Sequence, residues 1–517
     1  MHITTDSGRR NDTNLGARLQ QAAPGTGFAL IPASLAASAA AEWAMVRTPA
    51  GRRLVVAPAP GRTEPLLAEF EGEKSEAGGF PLLVAPLTAR NAAALRRHLP
   101  WLAPRPLPVG TSAGFGDRLG LATSGHVLAL RAVGGAIAPV FAQQSIREMT
   151  RTGRSPQAVI DDATWGSFEA GWRDVQGADA DHLKTADDAT ACARAGFTWF
   201  TIDPGEHVDG RADAGDPAGL RAAWVALPWD RLEDSAASML ARLAGRVFEI
   251  EGHRVSLDEG ALAKAAVKYG RAVAHVTAMY RHLCAVKGDQ PFDLEVSVDE
   301  TDTPTTHAEH IFVASELRRL GVRWVSLAPR FVGRFEKGVD YIGDIAALDA
   351  DIRVHAAIAR VFGPYKISLH SGSDKFSIYE MAAAHTRGVV HLKTAGTSYL
   401  EALRAVAQVA PDLFRAIYVF ARERYDQDRA SYHVSASVAE APEPARVADG
   451  GLPALLEDFH VRQILHVTFG SVLTAGRSDG SLTYADPLRS ILQAHPDVYE
   501  DCLERHFVRH LRPFAGR

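Results

Sequence analysis

The chain is predicted to be an α/β protein whose main part is a TIM-type (β/α)8 barrel. Eight short strand-like runs alternate with segments long enough for helices, which is the pattern of parallel βα units. Clusters of His, Asp and Lys follow several of these runs, and barrels of parallel strands place their functional side chains at the C-terminal strand ends. The predicted barrel strands are Leu107–Thr111, Ala138–Ala142, Val175–Ala178, Phe197–Ile202, Phe292–Val298, Arg323–Leu327, Lys366–Leu369 and Val389–Leu392.

The segments between these strands have the apolar spacing of helices, as in Pro156–Ala170, Ala308–Leu320, Ala350–Phe362 and Tyr399–Val409. The barrel is therefore predicted over residues 105–435, with a helical insertion at about 215–290. Residues 436–517 are predicted to form a helical C-terminal extension.

The first hundred residues have a different, shorter rhythm. Residues 1–25 are polar and Gly-rich and are predicted to be mobile. Residues 26–104 are predicted to form a small α+β domain with strands Arg53–Pro58 and Phe80–Ala85 and a helix at Ala89–His98.

Composition excludes several classes of protein. The net charge of -5 gives no basis for nucleic-acid binding, and no apolar run approaches the roughly 20 residues of a membrane span. The start of the chain lacks the apolar core of a secretory signal. Three well-separated cysteines predict neither a disulfide framework nor a zinc–thiolate cluster. The sequence therefore predicts a cytoplasmic protein that acts on a small molecule, with homo-oligomerisation left open.

The segment Ala178–Lys184 carries the most chemical information. It offers a proton acceptor, Asp181, a metal ligand, His182, and a cation, Lys184, within four residues. Similar polar clusters occur at Leu369–Lys375 and His391–Thr397. Imidazoles and a carboxylate from different strands suit Zn²⁺ or Mn²⁺ with a position open for substrate. The alternative is that each His is a hydrogen-bonded core residue.

The segment Asp293–Asp299 alternates cleanly between polar and apolar residues. This pattern predicts that Glu295, Ser297 and Asp299 face the barrel interior while their apolar neighbours face the helices. A satisfied polar core layer would show the same alternation. His307 and His310 follow at helical spacing and are interpreted as surface or helix-start residues.

A Gly-rich turn, Gly114–Gly120, follows the first barrel strand. Its glycine spacing does not match the dinucleotide fingerprint. The turn is interpreted as backbone amides that, together with Arg118, hold an anionic or polyol substrate; a plain turn is the alternative.

Together, these motifs resemble the tagaturonate epimerase family, whose members interconvert D-tagaturonate and D-fructuronate. The resemblance covers about residues 107–477, and the first hundred residues have no place in it. It is carried by the segments Gly116–Thr123, Ala142–Arg147, Ala180–Lys184, Val296–Thr301, Ala328–Phe331, Leu369–Lys375 and His391–Thr397.

The Asp-His pair and the His-x-Gly-Ser turn are also similar to those of metal-dependent class II aldolases. That resemblance implies a retro-aldol and aldol route, since the hydrogen on a carbon β to a ketone is not acidic enough for simple deprotonation. A bound divalent cation (Zn, Mn, Co or Ni) is expected to stabilise the enediolate.

On this basis His182 and His370 are expected to bind the metal, with Glu336 and His391 competing for the third position. Asp181 is the expected base and Glu295 the expected acid. The expected substrate-binding residues are Arg118, Gln144, Lys184, Asp203, Arg330, Ser371, Asp374, Lys375, Lys393 and Thr394.

Three other functions remain open. The same 4-epimerisation could act on the neutral ketohexoses D-fructose and D-tagatose, although the Arg and Lys residues slightly favour an acid. A class II-type sugar aldolase would release its fragments. A non-catalytic carbohydrate-binding barrel would need no metal ion.

Overall fold

The computed structural model describes residues 14–49, 51–60, 63–77, 80–214, 216–478 and 480–516. These residues form two compact units. One contains the described residues up to Ala103 together with Gln157–Asp174, and the other contains Pro104–Pro156 and the chain from Val175 onward. The sequence predicted a boundary near residue 104 but did not place Gln157–Asp174 in the N-terminal unit.

The N-terminal unit is built on an antiparallel sheet in the order β1-β2-β3-β5-β4. One face, with Trp43 and Leu54, packs against Leu95, Trp165 and Phe168, which explains why residues 157–174 belong here. The elements in chain order are α1 (Asn14–Thr26), β1 (Ala29–Ala37), β2 (Ala41–Thr48), β3 (Gly51–Pro58), α2 (Thr63–Leu67), β4 (Glu73–Ala77), β5 (Phe80–Ala85) and α3 (Ala89–His98).

Helix α1 corrects the prediction that residues 1–25 are mobile. Residues 1–13 lie outside the described part of the chain, but Asn14–Thr26 is helical. Leu15 and Leu19 are buried, one helical turn apart, against Val46 and Val55 of the sheet. The i, i+4 pair of leucines gives this otherwise polar segment an apolar face to bury.

In the second unit, parallel strands close into a barrel in the order β12-β13-β14-β15-β6-β7-β8-β9, as predicted. The barrel strands are β6 (Ser112–Gly114), β7 (Ala138–Ser145), β8 (Gly177–Leu183), β9 (Trp199–Ile202), β12 (Asp293–Ser297), β13 (Ser326–Ala328), β14 (Lys366–Leu369) and β15 (Val390–Lys393). The first of these begins after the predicted Leu107–Thr111, because Pro106 and Pro108 lack the N–H groups that a central strand donates. Strand β8 extends past the predicted Ala178 and so includes the Asp181-His182 pair.

Helices separate most of the strands. They are α4 (Thr123–Val133), α5 (Ile146–Thr152), α6 (Pro156–Ala170), α7 (Ala186–Ala195), α12 (His307–Arg319), α13 (Ile345–Phe362), α14 (Tyr379–Thr386) and α15 (Thr397–Val409). Thr306 begins α12 with a reciprocal capping interaction with Glu309, and Asp344 caps α13 by accepting two backbone N–H groups. These caps set the positions of His307 and of the first turns of α13.

The insertion predicted as helical at about 215–290 is mixed. It contains α8 (Pro217–Val225), α9 (Trp229–Leu232), α10 (Ala236–Leu243) and the long α11 (Glu259–Lys287), but also an antiparallel hairpin, β10 (Arg246–Ile250) and β11 (His253–Leu257). Both turn residues of the hairpin, Glu251 and Gly252, have positive φ. This is the geometry that two-residue hairpins favour, and Gly252 adopts it without steric cost.

The C-terminal extension is helical, as predicted, with α17 (Phe459–Val467), α18 (Phe469–Thr474), α19 (Ala485–Ala494) and α20 (Pro496–Leu511). It is preceded by α16 (Pro411–Asp428), within the range predicted for the barrel. Helices α15 and α20 pack together, and α20 also packs along α4. Across the described residues, none of the helices combines the length and apolar character needed to cross a membrane.

Candidate active site

Inward-facing polar side chains fill the C-terminal half of the barrel. Because strand side chains alternate, Asp179 and Asp181 share one face of β8 and Glu295 and Ser297 share one face of β12. Glu295 and Ser297 face the barrel interior, as predicted, since both contact His370 in the turn that follows β14. Polar groups from separate strands therefore meet at the barrel mouth.

Lys393 lies at the centre of this group. Its Nζ is 2.9 Å from Asp179 Oδ2, 2.6 Å from Asp181 Oδ1 and 2.7 Å from Glu295 Oε1, and it donates to Thr201 Oγ1 at 2.8 Å. Burial opposes its charge, but the three carboxylates raise the pKa of Lys393 well above its ordinary value. Lys393 is therefore a buried cation held between three acidic side chains.

Two histidines stand beside this cluster, with ring centroids 5.1 Å apart. His182 Nδ1 is 2.8 Å from Asp181 Oδ1. His370 Nε2 is 2.5 Å from Glu295 Oε1, and its Nδ1 is 3.0 Å from Asp299 Oδ1. His182 has a φ of 53°, a backbone conformation that costs a non-glycine residue energy and often occurs at functional sites.

The residues around His182 have the donor set of a divalent-metal site. One ligand atom from each of Asp181, His182 and His370 lies within 4.8 Å of the others, and the same holds for His182 with Asp203 and Glu300. His182 Nε2 is buried and finds no hydrogen-bond partner among the described residues. Mixed nitrogen and oxygen donors suit Zn²⁺, Mn²⁺ or a related ion, so these residues fit a cation.

A cavity of about 120 Å³ opens beside the histidines. Its lining includes Arg330, Lys337, His370, Ser371 and Tyr432. A smaller cavity on the His182 side shares Lys337 and Tyr432 with it. Lys337 Nζ donates to Ser371 Oγ at 2.7 Å. The histidine pair is thus accessible to a small polar molecule that would also meet Lys337.

The acidic side chains at the barrel mouth have pKa values that depend on burial and on the cations beside them. Burial raises the pKa of Asp179 to about 7, although Lys393 opposes this shift. For Glu300, burial acts in the same direction, but His182 and Lys337 prevail and lower its pKa to about 2. For Asp181 and Glu295 burial again raises the pKa, yet their cationic neighbours hold both values well below the ordinary range. Asp181 and Glu295 are therefore carboxylates at neutral pH.

The two predicted third ligands lie away from the histidine pair. Glu336 accepts hydrogen bonds from Ser435 and Gln463. His391 lies two residues before Lys393 on β15, about 7 Å deeper in the barrel, where Ser112 Oγ is 2.9 Å from its Nδ1. Burial lowers the pKa of His391 to about 3. The structure instead brings Asp299 to His370, and Asp203 and Glu300 to His182.

Several predicted substrate-binding side chains are engaged within the protein. Arg118 is buried, with Nη2 2.7 Å from Glu148 Oε1 and its guanidinium stacked on Phe469. Gln144 accepts from Arg154 at 3.1 Å, and Thr394 donates to the Gly114 carbonyl. Lys375 donates to three backbone carbonyls, those of Glu336, Val339 and Ser373. Arg118 also lines the smaller cavity on the His182 side, whereas the other three shape the strand ends and neighbouring loops.

Three further predicted residues have different surroundings. Lys184 pairs with Glu206 at 3.0 Å and lies 3.7 Å from Asp203. Asp374 is buried and paired with Arg462 at 2.8 Å. Arg330 donates to the Asp299 carbonyl at 3.2 Å and lines the cavity. Arg330 and Ser371 therefore have access to a ligand, whereas Asp374 does not.

Sequence reasoning missed Asp179, Arg147, Lys337 and Tyr432 as site residues. The alternation Asp179-Ala180-Asp181 was a usable signal, because it places both carboxylates on one face of β8. Arg147 contacts Glu300 at 3.0 Å from the start of α5. Lys337 and Tyr432 come from irregular segments, where no periodicity indicates direction.

A closed parallel barrel with histidines and carboxylates gathered at its carboxyl end is the architecture of a TIM-barrel enzyme. The chain belongs to the tagaturonate epimerase family, because the family model described as UxaE, tagaturonate epimerase, matches residues 32–514. It is therefore a carbohydrate epimerase, an isomerase. The match begins within β1, so the N-terminal unit, which had no place in the resemblance above, is part of the family.

Two relatives illustrate the similarity. The tagaturonate/fructuronate epimerase of Thermotoga maritima is 44% identical over 445 residues, which are 86% of this chain and 89% of that protein. The glycerol-complexed crystal structure of the fructuronate-tagaturonate epimerase UxaE from Cohnella laeviribosi is 35% identical, with a TM-score of 0.89, and the match covers 97% of this chain and 99% of that one. A native crystal structure of that epimerase gives the same values.

Proposed function

We propose that this protein interconverts D-tagaturonate and D-fructuronate by inverting C4, that it requires a divalent metal, and that it works by retro-aldol cleavage and aldol addition. The relatives' names supply the substrate pair. The observation that carries the mechanism is the meeting of Asp181, His182, His370 and Lys393 at the barrel mouth.

The reaction needs a carbon–carbon bond to break, since the inverted carbon lies β to the ketone. A base takes the proton of the C4 hydroxyl, the C3–C4 bond breaks, and its electron pair passes to the ketone fragment as an enediolate. The C4 fragment becomes an aldehyde and turns its other face. Re-addition forms the C3–C4 bond again, and the new alkoxide takes up a proton.

His182 and His370 are the residues that would bind the metal, with Asp299, Glu300 and Asp203 near enough to contribute a carboxylate. A divalent ion supplies electrostatic stabilisation of the enediolate when bound. The chain's own part is to orient the ligands, and Asp181 does this for His182 through the hydrogen bond to Nδ1.

Asp181 and Glu295 are the proposed proton-transfer groups. Inversion moves the hydroxyl to the opposite face of C4, so two differently placed groups are needed. Both carboxylates touch Lys393 Nζ, at 2.6 Å and 2.7 Å. Both carboxylates are ionised before the reaction starts. The proton that one of them takes from the C4 hydroxyl during cleavage is therefore the proton that is returned to the new alkoxide after addition. Lys393, which contacts both carboxylates, connects the two positions.

Lys337 is the proposed partner of the substrate carboxylate. It lines both cavities, and its contacts are Ser371 at 2.7 Å and Glu300 at a looser 3.9 Å. Arg330 lines the same larger cavity. A cation placed there favours a sugar acid over a neutral ketohexose.

Product analysis tests the proposed reaction. The purified enzyme is incubated with D-tagaturonate and, separately, with D-tagatose, with and without chelator, and products are identified by NMR. We expect the enzyme to convert tagaturonate to fructuronate. Chelator should abolish this conversion, and Mn²⁺, Co²⁺ or Zn²⁺ should restore it. Fragment accumulation would indicate an aldolase, and full activity in chelator would contradict the metal requirement.

Lys337→Met tests the proposed carboxylate contact. A charged hydrogen bond contributes about 1.5–3 kcal/mol, so kcat/KM for tagaturonate should fall about 10- to 100-fold while turnover of a neutral ketohexose changes little. Lys184→Met is the matched control, because Lys184 pairs with Glu206. This variant should leave the ratio of activity on tagaturonate to activity on the neutral ketohexose unchanged. Equal losses on both substrates would refute carboxylate recognition by Lys337.

A further inference from the structure

A second cluster of histidines and a carboxylate lies between α12 and α13, outside the barrel mouth. His307 is the first residue of α12, and Asp351 and His355 lie one turn apart on α13. Asp351 Oδ1 is 3.1 Å from His307 Nε2 and 3.4 Å from His355 Nε2. We propose that His307, Asp351 and His355 form a second divalent-metal site, of the tetrahedral zinc type.

The separations match the edges of a zinc coordination tetrahedron. Zinc–nitrogen and zinc–oxygen bonds of about 2.0–2.1 Å at the tetrahedral angle place neighbouring ligand atoms about 3.3–3.4 Å apart. The two measured separations, 3.1 Å and 3.4 Å, lie near this value. All three ligand atoms lie within 4.8 Å of one another. Small side-chain movements would therefore complete the site.

His355 supplies independent support. Its side chain is fully buried, and its Nε2 lies 3.4 Å from Asp351 Oδ1 without a well-formed hydrogen bond to any part of the chain that the structure describes. A buried nitrogen whose hydrogen bonding is incomplete costs free energy, and a metal ion between His355 Nε2 and Asp351 Oδ1 would remove that cost. His307 has 32% of its side chain exposed, so the fourth ligand position opens towards water.

The surrounding hydrogen bonds fit the tautomer that a metal requires. His355 Nδ1 is 2.8 Å from His310 Nδ1, and His310 Nε2 is 2.8 Å from Tyr365 Oη. With the metal on His355 Nε2, the Nδ1–H donates to His310, and the His310 Nε2–H donates to Tyr365. The Val332 N–H holds the other Asp351 oxygen at 3.2 Å. Such outer contacts orient metal ligands.

A superficially similar cluster does not qualify. Asp374, His506 and His510 are also close together and buried. There, however, Arg462 already lies 2.8 Å from Asp374, and His510 Nε2 accepts the Asp374 backbone N–H. The protein's own guanidinium takes the place of a cation in that cluster.

The proposed ion would join the beginning of α12 to α13 next to the loop that follows β13. Phe331 packs edge-on against His355, with centroids 5.5 Å apart, and Val332 donates to Asp351. Arg330 and Lys337 of the same loop line the cavity at the barrel mouth. The second site is therefore a structural clamp that fixes this loop.

Metal counting on the full-length protein tests the proposal. Protein stripped with chelator is reloaded with Zn²⁺ and, in parallel, with Co²⁺, whose tetrahedral complexes absorb strongly in the visible range. His307→Ala should bind one ion fewer per chain than the wild type, whatever the barrel mouth binds, and its cobalt spectrum should lack the tetrahedral absorption that the second site contributes. Affinity at the site should fall more than about 100-fold, since loss of an outer contact alone costs 10- to 100-fold.

His385→Ala is the matched control, because His385 contacts Asp349 of the same helix α13 at 2.8 Å without belonging to a ligand cluster. It should leave the metal count unchanged. Tyr365→Phe, which keeps the packing, should weaken zinc binding by about tenfold. Should His355→Ala fail to fold, His307→Ala and Asp351→Asn still decide the matter. An unchanged ion count and cobalt spectrum in His307→Ala would overturn the proposal, as would an equal loss in His385→Ala.

Discussion

Asp179 and Asp181, two residues apart on β8, should respond oppositely to the same substitution. Asp179 is fully buried, and burial raises its pKa from 3.8 to about 7. A carboxyl with a raised folded-state pKa lowers stability progressively as pH rises from its unfolded pKa to its folded one. Asp179→Asn mimics the protonated form and removes this loss. At 1.36 kcal/mol per pKa unit, the variant should gain up to about 4 kcal/mol above pH 7 and nothing below about pH 4.

At Asp181 the same substitution should have the opposite effect on the free energy of unfolding. Its neighbours His182 and Lys393 hold its pKa well below 3.8 despite burial, so it contributes stability above the unfolded pKa that is lost as pH falls through the folded one. Asp181→Asn should therefore destabilise the protein at neutral pH, and the difference should shrink below about pH 4.

Urea unfolding of the chelator-treated protein between pH 2 and 9 measures both effects, with the metal absent in every sample. The expected pattern is two difference curves of opposite sign that converge at low pH. If Asp179→Asn is destabilising at pH 8, or if its difference from the wild type is independent of pH, then Asp179 is not the carboxyl that carries the raised pKa and the electrostatic account of the cluster is wrong.

Four further outcomes are expected. His370→Ala should lose the barrel-mouth ion and turnover together, and normal activity with a full ion count would exclude His370 as a ligand. Glu295→Gln should keep fold and metal but lose about 10²-fold or more in kcat; a near-normal kcat would assign proton transfer elsewhere. Substrate deuterated at C4 should keep its label and show only a secondary isotope effect, whereas a large primary effect would contradict carbon–carbon cleavage. Arg462→Met should lower the free energy of unfolding by about 3–5 kcal/mol, because it leaves Asp374 buried without its guanidinium partner. Arg353→Met removes an exposed ion pair on α13 and should lower it by less than about 1 kcal/mol. Equal losses in the two variants would show that the Arg462–Asp374 pair does not stabilise the fold.

The sequence by itself determined the barrel and the direction of many of its side chains. Period-two alternation in Asp293–Asp299 predicted which residues point inward, because a strand has only two faces. The strand-end positions of His182 and His370 also followed from local pattern. The apolar pattern alone predicted the first barrel strand at Leu107–Thr111. Pro106 and Pro108 lack the N–H groups that a central strand donates, and the strand begins further along the chain, at Ser112.

Only the tertiary structure decided which of these groups touch. Lys393 meets Asp179, Asp181 and Glu295 because barrel closure and strand register bring β8, β12 and β15 together, and no local pattern encodes that register. His391 has the same strand and face as Lys393 but lies one layer deeper. Lys337 reaches the cavity from an irregular loop, whose direction depends on long-range packing rather than on local periodicity.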